Sequence, residues 1–175
     1  MTVTTTDQRL ARLLEPKAPP PAKRLEAVRA LADAGIRVGV NLMPILPGLT
    51  DAPRALEAVA RAAAEHGARS LYGNVLFLMP SAMKQFMPFL EREFPRLVKR
   101  YRRLYARSAY LNGEYKEEIS TLVATLRTRY GLDGKHDEAP LAARYRQLAL
   151  EFSTDATSSI DANPSQPLAP IVGPC

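Results

Sequence analysis

The 175-residue chain has a single cysteine, Cys175, at its far end. One thiol cannot close an internal disulfide. Alone it cannot build a zinc or iron–sulfur centre either, because those need several thiolate or imidazole ligands. Histidine is nearly as scarce. His66 and His136 sit among polar residues, with no partner at metal-ligand or triad spacing, and neither is assigned a role. No apolar run approaches the length of a membrane span. The opening residues, Met1 to Asp7, carry neither the basic stretch nor the apolar core of a secretory leader, so the chain is read as cytoplasmic with no membrane partner. A Ser/His/Asp set, a P-loop and a dinucleotide fingerprint are all missing.

What is present is enough for one α/β domain with a core, since 46% of the residues are apolar. Met1–Thr6 is β-branched and reads as a strand with almost no lead-in, so an N-terminal portion is expected to be missing. Asp7 is placed to cap a short helix carrying Leu10, Leu13 and Leu14, which Pro16 and Pro19–Pro21 end. A helix over 22–34 puts Leu25, Val28, Leu31 and Ala32 on one face, with Gly35 at its end. Residues 36–43 read as a buried strand. The stiff turn Pro44 to Asp51 follows, and Asp51 is expected to cap the next helix, with Pro53 in its first turn. Leu56, Val59, Ala60 and Ala63 make that helix's buried stripe, Gly67 ends it, and residues 68–79 read as a third strand. Strand, helix, strand, helix, strand at this spacing predicts a parallel sheet.

After Pro80 the pattern becomes helical. Leu90, Phe94, Leu97, Val98, Tyr101, Leu104 and Tyr105 are expected on one side of a helix. Arg92, Arg96, Lys99, Arg100, Arg103 and Arg107 are expected on the other. Residues 84–107 hold eight Lys/Arg against two Glu, an excess equal to the whole net charge of +6. Such a run is usually a solvated face, but it also suits a polyanion such as DNA or RNA, with Arg96, Lys99, Arg100 and Arg103 as the contacting set. Residues 110–113 read as a loop, and 114–130 as a helix with Ile119, Leu122, Val123 and Leu126 inward. Residues 131–139 read as a polar linker and 141–152 as a last helix. Six Ser/Thr and four Pro from Ser153 on read as a disordered tail.

In α/β proteins the loops at the carboxyl ends of parallel strands hold ligands. Three segments meet that description. In the turn, Gly48 lets backbone approach a ligand closely; the plainer reading is an ordinary strand-to-helix loop. Thr4 to Asp7 offers hydroxyls to a ribose or carboxylate, against the plainer reading of β-propensity and capping. Glu15 and Arg24 place an acid and a base near the same end, and Arg24 can clamp a carboxylate. Its plainer reading is a surface charge.

Taken in order, Val3-Thr4-Thr5-Thr6-Asp7, Leu10 to Leu14, Glu15-Pro16, Pro19 to Leu25, Ala34-Gly35-Ile36 and Pro44 to Asp51 resemble the rear half of a radical S-adenosylmethionine enzyme. The resemblance continues through Leu71 to Leu78, Phe94-Pro95, Leu104-Tyr105 and Tyr110 to Tyr115. The group it points to is the spore photoproduct lyase-like, or DNA repair photolyase-like, proteins. It spans about residues 2–132.

The resemblance implies a partial (β/α)6 TIM-like barrel that binds S-adenosylmethionine and a [4Fe–4S] cluster. Residues 1–80 would be its C-terminal half, with strands four to six. Residues 81–152 would be a helical extension carrying the basic helix, and 153–175 the tail. The fifth-strand motif Gly-x-Ile-x-Gly-x-x-Glu, which supports the adenine, falls on Pro44, Leu46, Gly48 and Asp51, and Pro44 is the departure. Thr4 or Thr6 would touch the ribose or methionine part, and Arg24 would meet the carboxylate. The larger departure is the missing Cys-x-x-x-Cys-x-x-Cys loop. The expectation is therefore a fragment that supplies one wall of the site and is inactive alone. Its partner would be the absent N-terminal half-barrel, from the same gene or a split subunit.

Overall fold

A computed structural model of the protein describes residues 1–111 and 113–134. The expected helix at 141–152, the tail at 153–175, His136 and Cys175 lie outside the described residues. Seven-residue β1, Gly39–Ile45, and six-residue β2, Ser70–Val75, run parallel, pairing Val40 with Leu71 and Asn41 with Tyr72. Side chains alternate across a strand, so Val40, Leu42, Leu71 and Val75 turn one way and are buried. The fold is α/β, as expected.

Met1 to Thr6 is shorter as a strand than its composition suggests. Thr2 makes a single parallel bridge to Asn41, on the side of β1 away from β2. Val3 N–H donates to the Asn41 carbonyl at 2.9 Å, and Asn41 N–H donates to the Met1 carbonyl at 2.8 Å. The ladder then stops because local side chains take over. Thr5 Oγ1 accepts the Asp7 N–H, and Asp7 Oδ1 accepts the N–H groups of Arg9 and Leu10, capping α1, Gln8–Leu14. The Asp7 cap is therefore as expected.

Helix α2, Pro21–Asp33, buries Leu25 and Val28, and Gly35 at φ +75° turns the chain out of it. Helix α3, Pro53–Glu65, buries Leu56, Val59, Ala60 and Ala63, the stripe that its periodicity predicts. The small residues allow close approach: a Cβ on Gly67 would lie 2.8 Å from Ala32 Cβ. Burying each Leu or Val of this kind is worth roughly 1.5–3 kcal/mol.

Four expectations need correcting. The middle strand starts at Gly39, not Ile36, which is exposed. The third strand ends at Val75, not Met79. Leu76 N–H makes the last bond to β1, at Ile45, and Leu78 N–H then donates to the Ala109 carbonyl, drawing the chain away. The single basic helix is two pieces: α4, Pro80–Glu93, and α5, Val98–Leu104, joined by a short 3₁₀ turn at Pro95–Leu97. Pro95 has no N–H to donate and disfavours helical backbone at Phe94, whose φ/ψ is −139°/56°. Finally, residues 131–134 are not solvated linker. Leu132 is fully buried, its carbonyl accepts the Leu71 N–H, and Asp133 bridges Ser70 antiparallel, closing the outer edge of β2.

Helix α6, Glu114–Arg129, packs over β2 through Ile119, Val123 and Leu126. A Cβ on Gly73 would meet Val123 at 3.0 Å, so glycine lets this helix lie close. Tyr130 Oη and Arg129 Nη1 both donate to Glu57 of α3, and these bonds, Tyr130's first, hold the Glu57 carboxyl below its ordinary range.

Candidate functional site

Because the Thr2 segment, β1 and β2 are parallel, their carboxyl ends deliver three stretches to one end of the sheet. The first is Thr4 to Asp7. Thr4 is buried, and its Oγ1 lies 3.3 Å from Glu15 Oε2, a hydrogen bond. Arg24, its side chain only 10% exposed, reaches the same carboxylate, Nη2 to Oε2 at 3.0 Å and Nη1 to Oε1 at 3.3 Å. The guanidinium also donates to the backbone carbonyls of Thr2 and Pro19. Thr4, Glu15 and Arg24 thus form one network, in which the carboxylate that Arg24 holds is the chain's own Glu15. Thr6 faces solvent outside this network.

The second stretch is the turn after β1, which follows a cis Met43–Pro44 peptide. Leu46 and Thr50 bond reciprocally: Leu46 N–H donates to Thr50 Oγ1 at 2.8 Å, and Thr50 N–H donates to the Leu46 carbonyl at 3.0 Å. Gly48 sits at φ +79°, and its N–H donates to Asp51 Oδ1 at 2.8 Å. Asp51 does not cap α3 as expected. The cap position belongs to Ala52, which has no side-chain bond, because the Asp51 carboxylate turns back into the turn. Its Oδ2 accepts from Tyr115 Oη at 2.9 Å and lies 3.5 Å from Arg100 Nη2.

Helices α5 and α6 therefore bind the turn from outside. A Cβ on Gly48 would meet Leu97 Cδ2 at 3.0 Å and Arg100 Nη1 at 3.4 Å. The Cβ direction at Gly48 thus points at the helical part, not into open ligand space. Leu46 is itself buried, 4% exposed. Of the expected polyanion set, Arg96, Lys99 and Arg103 are exposed and have no ion-pair partner among the described residues. Arg100 is drawn inward to Asp51. Arg92 and Arg102, beside them, pair with Glu93 and Glu91. The two-sided basic helix expected from spacing is thus divided between paired and unpaired cations.

A tyrosine cluster underlies this cover. Tyr101 is fully buried, stacks on Tyr105 with centroids 5.9 Å apart, and lies 5.4 Å from Phe86. Its hydroxyl has no hydrogen-bond partner among the described residues. Tyr105 Oη donates to the Leu76 carbonyl, tying α5 to the third stretch, Leu76 to Met79. Burial pushes the phenols of Tyr101, Tyr105 and Tyr115 above their ordinary range; for Tyr115 the bond to Asp51 adds to it.

Thr50, Tyr115 and the inward role of Arg100 escaped sequence reasoning. Thr50 had a legible signal, a hydroxyl four residues after the amide it accepts from. Tyr115 had none, since it meets Asp51 across 64 positions. Among the described residues no group of three His, Cys, Asp or Glu is placed to hold a metal ion. No described helix is long and apolar enough to cross a membrane.

No family model matches the chain. No solved structure matches it. Uncharacterized proteins of Mycobacterium bovis and Mycobacterium tuberculosis are 38% identical to it over 134 residues, which is 77% of this chain and 39% of theirs. An uncharacterized protein of Acidianus two-tailed virus is 28% identical over 138 residues, 77% of this chain and 41% of that protein. The chain spans about two-fifths of the length of these curated relatives.

Proposed function

We propose that this chain is the rear part of a radical S-adenosylmethionine protein of the spore photoproduct lyase-like group. In this reading residues 1–80 are the C-terminal half of a partial TIM-like barrel and form one wall of the S-adenosylmethionine site. The observation that carries the reading is the joint placement of the Thr4–Glu15–Arg24 network and the Gly48 turn at the carboxyl ends of adjacent parallel segments. Those are the stretches the resemblance assigns to the cofactor.

The chemistry of the donor set divides the cofactor in two. Arg24 holds Glu15 through both terminal nitrogens, so this position suits a carboxylate, and an amino-acid carboxylate would exchange with that of Glu15. Thr4 would orient the bound group by its hydroxyl. The Gly48 turn, stiffened by Asp51, would keep backbone rather than side chain at the site's edge. The [4Fe–4S] cluster does not fit this chain. It needs three thiolates, and the sequence has one cysteine. The cluster and the electron it supplies would come from an N-terminal half-barrel, in the same polypeptide or a split subunit. The relatives' extra length leaves room for such a part.

The test is to express the gene product together with the DNA upstream of Met1, and reconstitute it anaerobically with iron and sulfide. The expected result is [4Fe–4S] visible absorption and reductive consumption of S-adenosylmethionine, with Arg24→Ala weakening S-adenosylmethionine binding while the cluster forms normally. Absence of cluster absorption would sink the reading. The alternative is a non-enzymatic basic α/β module that binds nucleic acid or a partner chain, and Arg96, Lys99 and Arg103, without an ion-pair partner among the described residues, speak for nucleic acid. Nucleic acid requires binding that weakens steeply with salt.

A further inference from the structure

A cleft of about 630 Å³ opens at the carboxyl end of the parallel segments, between α1, the Gly48 turn and the break between α4 and α5. Its floor is apolar: Leu10 and Leu13 from α1, Leu49 from the turn, and Phe94 and Leu97 from the break. All five are half-buried, neither sealed into the core nor fully solvated. Ligand sites are commonly built this way, with an apolar floor and few polar groups at the end of the sheet where strands deliver their loops.

The charges at the rim differ in their freedom. Asp7 is occupied as the α1 cap, and Glu93 is tied to Arg92 at 2.7 Å. Arg9 and Arg96 also line the cleft, and neither has an acid partner among the described residues. With Glu93 offset by Arg92, the rim sets Arg9 and Arg96 against the single Asp7 carboxylate, whose Oδ1 is taken up by backbone amides, so the excess charge is positive. We infer that this cleft binds an organic anion, a carboxylate, phosphate or sulfonate on an apolar or ring-shaped body. The body lies on Leu10, Leu13, Leu49, Phe94 and Leu97, and the anion meets Arg9 and Arg96. Of the residues expected to contact S-adenosylmethionine, the cleft shares Gly48, and the inference stands whether or not that reading holds.

Two dyes with nearly the same ring body separate the two parts of this claim: 1-anilinonaphthalene-8-sulfonate, which carries an anion, and N-phenyl-1-naphthylamine, which does not. The full chain should bind the sulfonate saturably, one per chain, at least tenfold more tightly than the uncharged dye. The double variant Arg9→Gln/Arg96→Gln should remove that preference and leave the uncharged dye within about twofold. Both arginines are exposed, so its helical circular dichroism should match the parent. Leu13→Glu should weaken both dyes. Equal affinity for the two dyes in the parent would overturn the inference. So would a preference that survives in the double variant, or binding of both dyes unchanged by Leu13→Glu.

Discussion

Replacing Gly48 by alanine should cost folding stability, by an amount the local geometry sets. The residue sits at φ +79°, where an L side chain costs roughly 1–2 kcal/mol. The new Cβ would also stand 3.0 Å from Leu97 Cδ2, and that flexible methyl must give way by a few tenths of an ångström. Alanine stiffens the unfolded chain as well, which returns about 0.4–1 kcal/mol. With the crowding at about 0.5 kcal/mol, the net expectation is a loss of about 0.5–2 kcal/mol in urea unfolding, and a melting point lower by roughly 3–5 °C per kcal/mol for a unit of this size. Two further variants divide the effect. Gly48→Asn tolerates left-handed backbone and should recover most of the conformational part. Leu97→Ala made in the Gly48→Ala background should cost less than in the parent, because the crowding is gone, giving a coupling of about 0.5 kcal/mol. If asparagine costs as much as alanine and the cycle shows no coupling, neither φ nor Leu97 governs this glycine. If Gly48→Ala leaves folding intact but abolishes S-adenosylmethionine binding in the longer protein, the Cβ direction faces ligand and the packing argument is wrong.

Tyr115→Phe removes one donor to the Asp51 carboxylate, whose side chain is only 14% exposed. It should cost about 1–2 kcal/mol in urea unfolding and speed hydrogen exchange at the Gly48 amide; unchanged exchange would mean that Asp51 holds the turn unaided. The buried phenols of Tyr101, Tyr105 and Tyr115 have raised pKa values, so the folded state favours the neutral form. That contribution is complete below the unfolded value near pH 10 and is lost as pH rises above it. In an alkaline absorbance titration these three of the seven tyrosines should ionise only as helical circular dichroism collapses. A smooth curve with all seven ionising near pH 10, before any loss of helix, would contradict the packing described for them.

Local pattern alone determined a good deal here. The α3 stripe, the Asp7 cap, the turn-out at Gly35 and the parallel relation of the middle and third strands all follow from spacing within a few residues. Periodicity, capping and left-handed glycine act over one or two turns of chain, so they are written locally. The polar pieces of the candidate site were legible too: Thr4, Glu15, Arg24, Gly48 and Asp51 were all picked out from the chain's own order.

Their partners were not legible. Asp51 looked like a helix cap and became the hub of the turn, because Tyr115 and Arg100 arrive from helices far along the chain. Arg24 looked open to a ligand and is held by Glu15 and two carbonyls. Arg100 looked like its neighbours Lys99 and Arg103 and differs from them by facing a carboxylate. Leu132 looked like linker and closes the edge of the sheet. In each case residue type and spacing specify which bonds a side chain is able to make. Only tertiary packing, by bringing distant segments within about 3 Å, decides which of those bonds form.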